Sequence, residues 1–463
     1  MDHRRRHAIA LALGALALVA VPGALGAQET LSMSKLSTST ATFPEDISFH
    51  LRVTAPVAID QAEVRYRVQQ LSCGSAVASG FADVTPGREL DLSWEWDLKQ
   101  RGGLPVGSRI TFWWVLSGQG RTFETEPLTV TYEDPRFHWR SLAGERSVIR
   151  WYRGDDSFAR TLLDTADAGI RQLQTSAGIL PSQPVEVHVY ADSAAMREAI
   201  VFSQEWAGGI AYPSYGQVSI GIDAGNLEWG KRAMVHEMSH VVLAQATFFC
   251  GSAVPAWLNE GLAVYNEGAE EPLSARTLRQ AVAEDAVFSV RGIAGAFPTS
   301  LGGALLAYAQ SRSLVAFLVD TYGPPRMSAL LTAFSELGSI DRSLERVYGF
   351  DTDGLDQAWR ASAGLPEKAP QLEATAQPLP TIPPLGASLP SSEPTLERKP
   401  IIPVEGAMPD PAPTATPALD TAPKGGSGCS RSGGASSSRS GGLNDGAVSM
   451  LAVGGLLMLR RKS

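Results

Sequence analysis

Apolar and polar residues alternate along the first third of the chain. Residues 47–53, 62–68 and 90–96 place an apolar side chain at every second position, and 109–115 and 128–132 do so more loosely. This period of two predicts strands with one face in a core. Turn formers separate the segments: Pro86 and Gly87, Gly102 and Gly103, Gly118 and Gly120. About seven short strands in about 100 residues is the pattern of a β-sandwich. An all-β, immunoglobulin-like sandwich is therefore expected over residues 28–135. The period then changes. Residues 156–177 carry apolar side chains at helical spacing, residues 185–190 and 216–222 read as strands, and from 231 the pattern is helical almost throughout: 231–246, 255–267, 273–285, 303–321, 325–337, 340–348 and 353–362. Strands followed by a run of helices predict an α+β domain over 136–365.

The ends follow neither pattern. Arg4, Arg5 and Arg6 precede an apolar stretch at 8–21 and small residues at 24–27, which reads as a secretory signal over residues 1–27. The competing reading is a membrane anchor, for which the stretch is short of the ~20 residues a bilayer needs. Of the 30 prolines, 15 fall between Pro366 and Pro423. Residues 366–442 are thus expected to be an extended Pro-rich, then Gly/Ser-rich linker without a core. A short apolar segment and Arg460-Arg461-Lys462 close the chain at 443–463. That layout resembles the sorting tails of bacterial exported proteins, with the basic end kept on the cytoplasmic side; a tail without function is the alternative. The expected location is exported and held at the cell envelope or membrane through this tail.

Composition narrows the partners. The net charge is −9 over 463 residues, so the chain lacks the basic surface that nucleic-acid binding requires. Its three cysteines are Cys73, Cys250 and Cys429. Cys429 stands in the Gly/Ser tract, and Cys73 and Cys250 lie in different expected domains, so no disulfide between them is expected. Trp94, Trp96, Trp113 and Trp114 offer either a carbohydrate platform or, more commonly, core packing.

The chemistry concentrates at Val235-His236-Glu237-Met238-Ser239-His240-Val241. On a helix, His236 and His240 are four residues apart and share a face. Two neutral imidazoles at that spacing suit Zn²⁺, and Glu237 beside them suits a general base that takes a proton from the attacking water. By chance such a triplet arises about 0.01 times in a chain of this composition. A zinc site needs a third ligand, and no histidine follows His240. Glu260, in Trp257-Leu-Asn-Glu-Gly-Leu-Ala263, supplies a carboxylate on a second helix and completes a His₂Glu set. Glu267, two turns further, is the alternative.

These residues resemble the gluzincin metallopeptidases, and most closely the bacterial MA-like peptidase domains, whose second helix reads Trp-Leu-x-Glu-Gly-x-Ala. The likeness runs from the strand at 185 to about 364. It implies a zincin-like peptidase fold, bound zinc, Glu237 as general base and a peptide or protein substrate. It also suggests a later-helix residue that steadies the oxyanion, for which Tyr308 is the candidate; a core tyrosine is the plainer reading. The position four residues after Glu260, where thermolysin-like enzymes carry an aspartate that braces a ligand histidine, is Val264. Bracing must come from elsewhere. The strand at 216–222 is expected to offer backbone groups to an extended peptide, with Gly208, Gly209 and residues 212–216 shaping the cleft rim or forming a plain hairpin turn. The sequence thus reads as an exported, surface-associated zinc metallopeptidase. Its rivals are a surface-binding protein whose zinc domain is a scaffold and a zinc hydrolase of non-peptide bonds.

Overall fold

A computed structural model describes residues 31–39, 42–74, 76–100, 103–201 and 208–367. The expected signal segment, the expected linker beyond residue 367, the expected tail and Cys429 lie outside the described residues.

The alternating segments form β1 (Ser32–Ser39), β2 (Asp46–Ile59), β3 (Gln61–Val68), β4 (Ala78–Ala82), β5 (Gly87–Asp97), β6 (Arg109–Gly118), β7 (Arg121–Glu124) and β8 (Leu128–Thr131). They make two antiparallel sheets, β1-β2-β5 and β4-β3-β6-β7, with β8 also on β6. Alternation sends Phe49, Leu51, Leu90 and Leu92 from one sheet, and Val64, Tyr66, Ile110, Phe112 and Trp114 from the other, into one core. Such a shared apolar layer is what holds two sheets face to face. The tryptophans are divided rather than grouped. Trp114 is fully buried, Trp96 nearly so, and Trp94 packs on Phe49 and Tyr66 at ring distances of 5.8 and 5.7 Å. At least three of the four are therefore spent on packing.

The second region opens with β9 (Arg140–Ala143), β10 (Ser147–Trp151), α1 (Asp156–Ala177), β11 (Val185–Tyr190), α2 (Ser193–Arg197), β12 (Gly209–Tyr212) and β13 (Gln217–Gly221). Its sheet has the order β12-β13-β11-β10-β9. The inner pairs β10–β11 and β11–β13 are parallel, and the outer pairs are antiparallel. Helix α1 starts where Asp155 accepts the Phe158 amide at 2.9 Å, an N-cap. It ends at Gly178, whose φ of 68° is the left-handed cap conformation. Helices α3 (Leu227–Thr247), α4 (Ala256–Asn266), α5 (Pro272–Ala283), α6 (Leu301–Tyr322), α7 (Pro324–Leu337), α8 (Ile340–Tyr348) and α9 (Thr352–Ser362) follow. Helix α3 is buried on nearly every side: residues 233–243 are all inaccessible, and its Met234, Met238, Val241 and Val242 belong to the same core as Leu162, Val187 and Ile220.

Cys73 and Cys250 are joined by a disulfide, with Cα atoms 5.5 Å apart. This corrects the expectation drawn from their separate domains. The loop after β3 rests on the second region, where the Leu71 amide donates to the Ser214 carbonyl at 2.7 Å, and that contact brings the two cysteines within reach. The bond closes a sequence separation of 177 residues, so it restricts the unfolded chain strongly. Replacing both cysteines by serine is expected to cost about 2–5 kcal/mol, read as a lower urea midpoint. An unchanged midpoint would show that the cross-link adds nothing to stability.

Candidate metal centre

Helix α3 presents His236 and His240 on one face, with imidazole centroids 4.8 Å apart. The Oε2 atom of Glu260, on α4, lies 3.5 Å from His236 Nε2 and 3.6 Å from His240 Nε2. Ligand atoms of these three residues lie within 4.8 Å of one another, and all three residues are buried. Two ligands of a tetrahedral zinc ion with bonds of about 2.0–2.1 Å stand roughly 3.4 Å apart. The donor spacing therefore fits such an ion.

The tautomers fit as well. His236 Nδ1 is 2.8 Å from Glu267 Oε1, and His240 Nδ1 is 2.9 Å from Asn259 Oδ1. Each of these oxygens accepts the Nδ1 proton, which in the neutral ring leaves the Nε2 lone pair facing the shared point. Neither Nε2 atom has a hydrogen-bond partner although both are buried. Buried, unmatched nitrogens are costly, and a cation at their common focus removes the cost. Without one, burial depresses both rings. His240 stays below its usual pKa, whereas the carboxylates of Glu260 and Glu267 overcome burial at His236 and lift it to about 10. Burial would also raise Glu267, but its hydrogen bonds to His236 and Arg232, the latter at 2.8 Å, hold it below the ordinary glutamate value.

Glu267 thus fixes the Nδ1 side of His236 and stands outside the cluster that could hold a metal ion. It and Asn259, rather than a residue at position 264, are the hydrogen-bond partners of the two histidines. A signal for this was present in the sequence. Asn259-Glu-Gly261 and Asn266-Glu-Gly268 repeat seven residues apart, two turns on one helix face. In the fold, Asn266 donates to Ser239 Oγ at 2.9 Å and to the Gly169 carbonyl at 3.2 Å, tying α4 to α3 and α1.

The remaining α4 residues have distinct duties. Trp257, Leu258, Leu262 and Ala263 are fully buried. Gly261 lies against α6 so closely that a Cβ there would fall 2.4 Å from the Ser311 carbonyl oxygen. That approach carries Tyr308 of α6 to the site, its ring centroid 6.4 Å from that of His236 and wedged edge-on against Phe297 at 5.0 Å. Burial, with Glu260, Glu237 and Glu267 nearby, pushes the phenol well above its usual pKa, so it keeps its proton.

Glu237 is 0% exposed, and neither carboxyl oxygen has a hydrogen-bond partner. Burial raises its pKa to about 8, against the lowering effects of His236 and the Ala211 amide. Ala211 belongs to β12, the end strand of the sheet. The strand at 216–222, expected to receive a peptide, is instead β13, and both of its edges are already paired, with β11 and β12. The two end strands of this sheet are β9 and β12, and of these β12, at Gly209 to Tyr212, is the one beside Glu237. Pro213 to Tyr215 form the single turn that joins β12 to β13.

Residues 165–364 match the family model described as Peptidase MA superfamily. The match runs from within α1 to just past α9 and contains every residue of the centre, and it supports a zincin-like peptidase over that segment. No curated protein matches the chain at a significant level. Among solved structures, an aminopeptidase N family protein from Idiomarina loihiensis is similar at 10% identity and a TM-score of 0.34, over 71% of this chain and 75% of that one. OgpA from Akkermansia muciniphila is similar at 12% identity and a TM-score of 0.19, over 22% of this chain and 28% of that one. BhCBM56 is similar at 9% identity and a TM-score of 0.16, over 21% and 97%. Scores this low establish no shared fold.

Proposed function

We propose that this chain is an exported, surface-associated zinc metallopeptidase whose ligands are His236, His240 and Glu260. The observation that carries the reading is the convergence of two braced, lone-pair-bearing imidazoles and one carboxylate beside a buried glutamate with no partner. The His₂Glu donor set suits zinc. A bound zinc ion supplies Lewis-acid polarisation of water and of the substrate carbonyl.

The chain's own groups do the rest. Glu237 takes a proton from the attacking water at its carboxylate and returns it to the departing amine. A scaffold would have no use for this residue, because an unpaired buried carboxyl costs stability. The Tyr308 hydroxyl, protonated throughout the physiological range, donates to the oxygen that gains charge. Backbone groups of β12 receive an extended peptide as an added strand, next to the general base. The Cys73–Cys250 disulfide supports an oxidising compartment, in keeping with the signal-like residues 1–27.

The test is digestion of a peptide library by the full chain, with metal content measured in parallel. Cleavage is expected to stop on chelation and to return with Zn²⁺. Cleavage by metal-stripped protein would sink the reading, and hydrolysis of esters but never of peptides by the zinc-loaded chain would sink the substrate class.

A further inference from the structure

A cavity of about 330 Å³ lies between the loop after β3, the start of β6, and the ends of β10, β11 and β13. Its volume falls at the lower end of the roughly 300–1,000 Å³ typical of small-ligand sites. Five primary amides line it: Gln69, Gln70, Gln183, Gln217 and Gln245. Each amide carries two donor hydrogens and an acceptor oxygen. Two of them are described in most detail: Gln245 is held by hydrogen bonds, and Gln217 is buried. Gln245 Oε1 accepts from Ser182 Oγ at 3.0 Å and from the Gln183 amide at 3.1 Å, which leaves its Nε2 donors beside Gly216 on the cavity wall. Gln217 is 94% buried, and its Oε1 has no hydrogen-bond partner. Gly107, at φ 95°, presses on its other side, where a Cβ would fall 2.8 Å from Gln217 Nε2.

The lining excludes several ligand classes. Its formal charges are Arg109 and Glu186, which face each other at 3.6 Å, and Glu186 is held again by Arg150 at 3.1 Å. An anion would meet a cation already engaged, and a metal ion would find one carboxylate, also engaged. An extended peptide would find no free strand edge, because β10, β11 and β13 are each paired on both sides. A ligand with many hydroxyl groups fits better. Each hydroxyl both donates and accepts, as the amides do, and the Tyr215 ring in the wall offers a flat apolar face.

We propose that this cavity binds a neutral sugar, either free or borne on a protein. The site is separate from the metal centre and does not depend on the peptidase reading.

The full chain is tested on an array of neutral, sialylated and sulfated oligosaccharides. The best neutral glycan is then titrated calorimetrically, free in solution and on a desialylated glycoprotein. Binding is expected for neutral glycans, and binding of the free oligosaccharide places the recognised group on the sugar itself. Gln217→Leu and Gln70→Ala are each expected to weaken binding by roughly two- to tenfold, the effect of one lost hydrogen bond, with metal content and peptide hydrolysis unchanged. Gln70 is exposed, so its substitution separates loss of binding from loss of folding. The proposal is overturned by preference for acidic glycans, by no neutral glycan bound at millimolar concentration, by binding indifferent to both substitutions, or by glycoprotein binding that survives removal of its glycans.

Discussion

Glu237→Gln is expected to abolish peptide hydrolysis to within detection, a fall of about 10²–10⁴ in kcat, while metal content stays at the wild-type level. Glutamine keeps the shape and burial of the side chain but cannot hold a proton at its carbonyl oxygen under neutral conditions. Glu237 lies outside the ligand cluster, so the metal should not notice the change. The same substitution has a second readout in the metal-free protein. The folded carboxyl has its pKa raised from 4.5 to about 8. The stability that this shift contributes is complete below the unfolded value and is lost as pH rises from about 4.5 through about 8. The glutamine variant lacks that group, so its melting temperature should fall less across the window. Wild-type turnover by Glu237→Gln would falsify the general-base assignment. A variant that lost its metal would instead place Glu237 among the ligands.

Glu260→Ala and Glu267→Ala should separate a ligand from its brace. Removing Glu260 takes away the anionic donor shared between His236 and His240, and zinc affinity should fall by more than about 100-fold, beyond the range for outer residues. Removing Glu267 leaves all three donors but frees the Nδ1 side of His236, and the expected loss is about 10–100-fold. Competition with a fluorescent zinc chelator reads both. A larger loss for Glu267→Ala than for Glu260→Ala would reverse the two roles. The measurement needs no substrate, so it stands whatever bond the centre hydrolyses.

The sequence carried the helices well, because each presents a periodic apolar stripe or an unbroken buried run. Residues 156–177 and 185–190 fall where α1 and β11 lie, and 340–348 coincides with α8. Elements without such patterning were missed. Strand β1 is largely exposed along its length, so nothing in its side chains marks an inward face. Strand β12 has four residues, two of them Gly209 and Ala211, and is defined by backbone pairing to β13. Mistaking β13 for the receiving edge follows directly, since an apolar strand looks the same whether one or both of its edges are paired. At the centre, the local spacing of His236, Glu237 and His240 was legible because one helix sets it. The partners of their Nδ1 atoms were not, because Asn259 and Glu267 reach them only once α4 is docked on α3. The disulfide was hidden for the same reason, being a contact between loops 177 residues apart.

That disulfide has a bearing on when the centre is finished. Cys250 stands ten residues after His240 and ten before Glu260, in the segment 248–255 that joins α3 to α4. A chain still in a reducing compartment has this joint unpinned, and the segment gains its tether to the N-terminal sheets only once thiols can oxidise. Under the export proposed above, closure of this cross-link follows translocation, and the joint between the two helices is pinned last.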